Sequence, residues 1–86
     1  MTTLLVIHEV DDVDHWLKST KREEVLGPMG ISARTFVDPD KSNRVALIVE
    51  TPNFETWQKA LESEDAAEAM KHDGVRPDTL QVFVAG

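Results

Sequence analysis

Four short runs of β-branched and apolar residues, separated by two stretches of helical periodicity, restrict the fold of this chain more than any other feature. Leu4 to Val10 is too short for three helical turns and stops at Asp11-Asp12, as a strand does. Asp12 then offers an N-cap, and Val13, Trp16, Leu17 and Thr20 share a helix face that runs on through Val25 and Leu26 to a stop at Gly27-Pro28. Asp14 and Lys18 are spaced as an outward i,i+4 pair. Ile31 to Val37 and Arg44 to Glu50 form a predicted hairpin around the polar turn Asp38 to Asn43. Pro52 fits the first turn of the next helix, where Phe54, Trp57 and Leu61 point inward and Glu55 pairs with Lys59 outside. Ser63 recaps a further segment with Ala66, Ala67 and Met70 inside, which closes at Gly74 before Pro77. Thr79 to Val84 is the last strand.

The order β-α-β-β-α-β is the split βαβ, ferredoxin-like arrangement: an α+β domain over residues 1–86, with a four-stranded antiparallel sheet and both helical segments on one face. Strand alternation then assigns side chains to faces. Leu4, Val6, Val10, Ala33, Val37, Val45, Leu47, Val49, Leu80, Val82 and Val84 turn toward the helices. The opposite parity carries Leu5, Ile7 and Glu9, then Ser32, Arg34 and Phe36, then Ala46, Ile48 and Glu50, then Thr79, Gln81 and Phe83. That face is too apolar for open water, and a second copy of the sheet is its simplest cover, giving a homodimer.

The strand end His8-Glu9-Val10 with Asp12-x-Asp14-x-Trp16, the hairpin Ala33-Arg34-Thr35-Phe36 to Asn43-Arg44-Val45, and the helix end Glu68-Ala69-Met70 through Gly74-Val75 to Pro77 resemble the dimeric α/β-barrel superfamily. Within it the chain is similar to small antibiotic-biosynthesis-monooxygenase-like and cyclase-like proteins. The resemblance covers nearly the whole chain and rests on topology and packing. It implies a dimeric α/β barrel and a ligand cavity on the mixed face, in a superfamily of cofactor-independent monooxygenases, cyclases, haem-degrading enzymes and isomerases.

The residues place the walls of such a cavity at Ile7, Phe36, Ile48, Phe83 and Gln81, with Glu9, Arg34, Glu50 and His8 as catalytic candidates. With the first and third strands taken as parallel neighbours, Glu9 and Glu50 share one sheet end, and a hairpin pairing Phe36 with Ala46 sets Arg34 opposite Ile48 and diagonal to Glu50. An arginine between two carboxylates could orient a phenol or enol and supply a base; the alternative is an ion-pair network at the dimer rim, or solvated strand ends. His8 shares the parity of Val6 and Val10 and so turns toward the helices, as a base or as a histidine bonded to the backbone. That parity disfavours haem binding. His72 pairs in spacing with Glu68, and His15 faces solvent. The histidines lack His-x-x-x-His or His-x-His spacing, so the expectation is no metal and no cofactor.

Composition excludes several other classes. With 9 basic against 16 acidic residues the net charge is −7, which repels a phosphate backbone, so nucleic acid is not an expected partner. The absence of cysteine removes disulfides and thiolate chemistry. No apolar run has the roughly 18 to 20 residues of a membrane span, and the start Met-Thr-Thr-Leu-Leu-Val-Ile lacks a basic n-region, so a cytoplasmic protein without a membrane partner is expected. No glycine-rich phosphate loop or nucleophile elbow is present. The leading expectation is a homodimer binding a small apolar, aromatic or polyketide-like molecule as a cofactor-free monooxygenase or cyclase; the alternative is a non-enzymatic dimerisation or regulatory module.

Overall fold

The computed structural model describes residues 1–86. Its elements are β1 (Thr2–Val10), α1 (Val13–Lys18), α2 (Lys21–Leu26), β2 (Ser32–Val37), β3 (Arg44–Thr51), α3 (Phe54–Glu62), α4 (Glu64–Asp73) and β4 (Val75–Val84), with one 3-10 turn at Gly27–Met29. The sheet order is β2-β3-β1-β4, every neighbouring pair is antiparallel, and the helices pack on one face: the ferredoxin-like α+β arrangement. No helix is long and apolar enough to cross a membrane.

The expected single first helix is two. Ser19 leaves helical geometry, and its hydroxyl accepts the Lys21 N–H at 3.2 Å. This local bond lets a serine interrupt a helix without glycine or proline. Gly27 does not stop the second piece, since it is itself helical; Pro28 continues into the 3-10 turn, and the left-handed stop is Gly30 at φ 75°. Asp12 caps α1 and Ser63 caps α4 as expected, whereas Asn53 caps α3 and Pro52 lies one residue before that cap. In α4 the buried positions are Ala66, Ala69 and Asp73, while Ala67 is exposed. Neither Asp14–Lys18 nor Glu55–Lys59 closes to ion-pair distance, as befits solvated helix faces.

The strand β4 begins four residues earlier than expected, at Val75, and contains Pro77. It is an edge strand, where a missing N–H is tolerated, and its register jumps between Ile7↔Gln81 and Glu9↔Arg76. The Thr79 hydroxyl repairs the break, accepting the Glu9 N–H at 2.9 Å and donating to the Arg76 carbonyl at 2.6 Å.

The core lies between sheet and helices, where Leu4, Val6, Val10, Val45, Leu47 and Val49 meet Trp16, Leu26, Ile31, Trp57 and Ala60. Leu17, expected inside, is exposed, and Val37 and Val84 are left uncovered near the strand ends. At the turn from α4 into β4, Gly74 adopts φ 72°, and its carbonyl accepts the Asp11 N–H at 2.9 Å. A Cβ there would meet the Asp11 Cβ at 3.3 Å. Gly74→Ala is therefore expected to lower stability by about 1–2 kcal/mol in urea titration, the cost of a left-handed residue with a side chain.

Candidate functional site

The sheet register fixes where the sequence-derived candidates lie. Across the helix-free face, Arg34, Ile48, Leu5 and Phe83 form one row, and Phe36, Ala46, Ile7 and Gln81 the next. The expected pairing of Phe36 with Ala46 and of Arg34 with Ile48 is present. Polar rows flank these two: Arg44, Glu9 and Arg76 on one side, Ser32, Glu50 and Thr3 on the other.

The expected meeting of Glu9 with Glu50 does not occur, because β1 and β3 run antiparallel. Glu50 stands opposite Thr3, six residues from Glu9 along β1, about 20 Å at roughly 3.3 Å per residue. A helical crossover from β1 to β2 followed by the β2–β3 hairpin places the third strand antiparallel to the first. Each carboxylate has other partners. Glu9 Oε1 lies 3.4 Å from Arg76 Nη1, whose Nε donates to Asp11 at 2.9 Å, and Glu50 accepts from the Thr3 hydroxyl at 2.9 Å. The Asp11 hydrogen bond is the main reason that Arg76 holds its proton more tightly than usual. Arg34 stacks over Phe36, 5.4 Å from the ring centre, and no carboxylate lies within ion-pair distance of it. The open face is thus an apolar centre with charged margins, and its three charged candidates do not form one cluster.

His8 turns to the helix side, as its parity predicts, and is 3% exposed. Here the structure holds an apolar cavity of about 70 Å³. Its wall includes Val6, Leu47, Trp16, Trp57, Leu61 and Met70, with His8, Arg22 and Asp73 as polar members. Val25 and Ala69 line both this cavity and the outer groove between α2 and α4, so the two lie side by side. Two polar atoms of its lining residues, Arg22 Nη1 and Trp57 Nε1, are buried without a hydrogen-bond partner. Trp16 joins the polar members: the Arg22 guanidinium sits 4.7 Å above its ring, and His8 meets it edge-on at 5.6 Å.

Desolvation pushes the Arg22 pKa down, opposed by Asp73 and Glu23, although arginine remains cationic in proteins. Desolvation also lowers the His8 pKa, partly countered by the Glu9 carbonyl 3.4 Å from Nδ1 and reinforced by Arg22. His8 is therefore a neutral imidazole at pH 7. Below pH 6.5 the unfolded chain takes up a proton that the folded one resists, so this group's effect is to lose stability as pH falls from 6.5 toward the depressed folded value. His8→Gln is expected to flatten the decline in stability between pH 7 and 5, measured by urea midpoints at each pH.

Parity makes His8 legible, and Trp57 reads in the sequence mainly as a core residue that could also line a cavity mouth, whereas nothing in the sequence marks Arg22 or Asp73 as site residues. Arg22 reaches the cavity from a helix whose break at Ser19 resets its phase relative to α1. The useful sequence signal was Trp57 itself, an indole N–H on an apolar face that offers few acceptors.

No protein-family model and no curated protein matches this chain. Solved structures do. The crystal structure of an antibiotic biosynthesis monooxygenase superposes with a TM-score of 0.65 at 13% identity, covering 100% of this chain and 97% of that one. A putative antibiotic biosynthesis monooxygenase from Nitrosomonas europaea gives 0.67 at 13% identity, with 100% and 97% covered. One from Deinococcus radiodurans gives 0.57 at 12% identity, with 100% and 91% covered. The resemblance to antibiotic-biosynthesis-monooxygenase-like proteins holds at the level of the ferredoxin-like fold.

Proposed function

We propose that this protein binds a small molecule with an apolar, single-ring or enolic body and one oxygen of anionic character in the helix-side cavity, as a homodimer closed through the open sheet face. The observation that carries the reading is the pair of unpartnered buried donors, Arg22 Nη1 and Trp57 Nε1, from two lining residues of a mostly apolar cavity. Buried donors without partners are costly and rare outside functional sites. A ligand oxygen that reached these donors would satisfy them, while neutral His8 could accept the proton of a phenol or enol. Cavity size bears on the class. A sealed cavity of about 150 Å³ holds benzene, so this one, of about 70 Å³, admits at most part of a single ring without side-chain movement and excludes a fused polyketide.

On this reading Ile7, Phe36, Ile48, Phe83 and Gln81 pack against the second copy. Glu9, Arg34 and Glu50 stand at or near the margins of that interface, consistent with an apolar centre inside a polar rim. Monooxygenase is the activity named for the solved neighbours. For this chain a cofactor-free monooxygenase or cyclase is the finer form of the proposal, since a ring oxygen held as its anion is the electron-rich species such chemistry needs. The exposed apolar centre of the sheet favours a second reading, a dimerisation module without turnover.

Calorimetric titration with p-cresol tests the binding claim. Saturable binding is expected, weakened about 10- to 100-fold in Arg22→Met, the loss of one charge-assisted hydrogen bond, and unchanged in Asp40→Asn on the distant hairpin turn. Equal affinity in Arg22→Met would remove the cavity from the account.

A further inference from the structure

We propose that His15, His72 and Asp73 form a binding site for a borderline divalent transition-metal ion, Zn²⁺ above all, at the outer junction of α1 with the end of α4. This goes beyond the ligand cavity and does not depend on it. The sequence separates His15 from His72 by 57 residues, and so no local spacing announces the site. The fold brings them together through three local devices. The Asp12 carboxylate caps α1 by accepting the His15 N–H at 3.1 Å, α4 ends at left-handed Gly74, and the Gly74 carbonyl accepts the Asp11 N–H at 2.9 Å. Both helix ends are thereby anchored before any ion arrives, so the site is largely preorganised.

The side chains converge accordingly. The imidazole rings of His15 and His72 lie 5.2 Å apart, centre to centre, and His72 Nδ1 is 2.9 Å from Asp73 Oδ1. One ligand atom from each of the three residues lies within 4.8 Å of the other two. Tetrahedral zinc with bonds of 2.0–2.2 Å needs ligand separations of roughly 3.4 Å. Torsional adjustment of two exposed histidines closes that gap. The His72 carbonyl accepts from His15 Nε2–H at 2.8 Å, which fixes the His15 tautomer and leaves a lone pair on Nδ1.

Electrostatics favour a cation here. The Asp73 carboxylate is 3% exposed, and the site sits at the negative end of α4 in a chain of net charge −7. Two imidazoles with one carboxylate select zinc, cobalt or nickel over calcium or magnesium, which prefer all-oxygen sets. Arg22, from α2, also faces Asp73 and competes for its charge, so affinity falls short of a four-ligand structural site. The bound ion would clamp α1 to α4 at the cavity rim, where Asp73 also forms part of the wall.

Metal-stripped protein titrated with ZnCl₂ by calorimetry is expected to take up one ion per chain, with a melting temperature that rises with zinc concentration. His15→Ala, His72→Ala and Asp73→Asn should each weaken binding at least tenfold, with Asp40→Asn unchanged. NMR of the unaltered chain gives a readout free of folding effects: the His15 and His72 ring signals should shift with zinc while those of His8 stay fixed. Absence of saturable uptake, affinity indifferent to the three substitutions, or a response centred on His8 would each overturn the proposal.

Discussion

Trp16→Ala is expected to remove about 3–5 kcal/mol of folding stability, the usual cost of truncating a buried tryptophan. A domain this small has little more than that to lose, so the variant should be largely unfolded at 25 °C by circular dichroism and urea titration. The size of the effect follows from position. Trp16 is 1% exposed, belongs to the central apolar cluster, and is the surface on which both His8 and Arg22 rest. Its removal leaves a cavity and withdraws the aromatic face from a cation that has few other partners. Trp16→Phe keeps an aromatic face and should cost much less. A Trp16→Ala variant within 1 kcal/mol of the parent would mean that the core is not organised around this ring.

Phe83→Asp should convert a dimer into monomers without unfolding the chain. Phe83 is 52% exposed, so folding of the single chain does not depend on it. It ends the row Arg34-Ile48-Leu5-Phe83, in the apolar centre of the proposed interface. An aspartate buried there in two symmetric copies would be desolvated without a partner. The expected result in sedimentation equilibrium is a species of twice 9.6 kDa for the parent and of 9.6 kDa for the variant, with matching circular dichroism. A parent that stays monomeric at millimolar concentration would contradict the dimer.

How far the chain could be read in advance depended on the period of each signal. The twofold alternation of Leu4 to Val10 and Arg44 to Glu50 placed His8 inside and Ile48 outside, because a strand offers only two faces. Helical phase was less secure. The break at Ser19-Thr20 depends on one serine hydroxyl competing for a backbone N–H, and no periodicity registers it. Across that break the helical phase of α1 no longer indicates the direction of Arg22, which supplies the cavity's cation. The Glu9–Arg34–Glu50 cluster is excluded by topology: the crossover and hairpin of the β-α-β-β-α-β order already make the first and third strands antiparallel, so taking them as parallel neighbours conflicts with the fold itself, and the pairing puts Glu9 beside Arg44 and Glu50 beside Thr3. The His15–His72 contact was likewise out of reach, since it exists only once Gly74 bonds back to Asp11.

If the helix-side cavity holds a ligand oxygen against Arg22 and Trp57, the indole N–H of Trp57 must sense its arrival. In a proton–nitrogen NMR titration with p-cresol, the Trp57 Nε1–H signal should move downfield and saturate as its missing acceptor arrives, by far more than that of Trp16. An unmoved Trp57 signal at millimolar p-cresol, or equal small drifts in both indoles, would contradict the account.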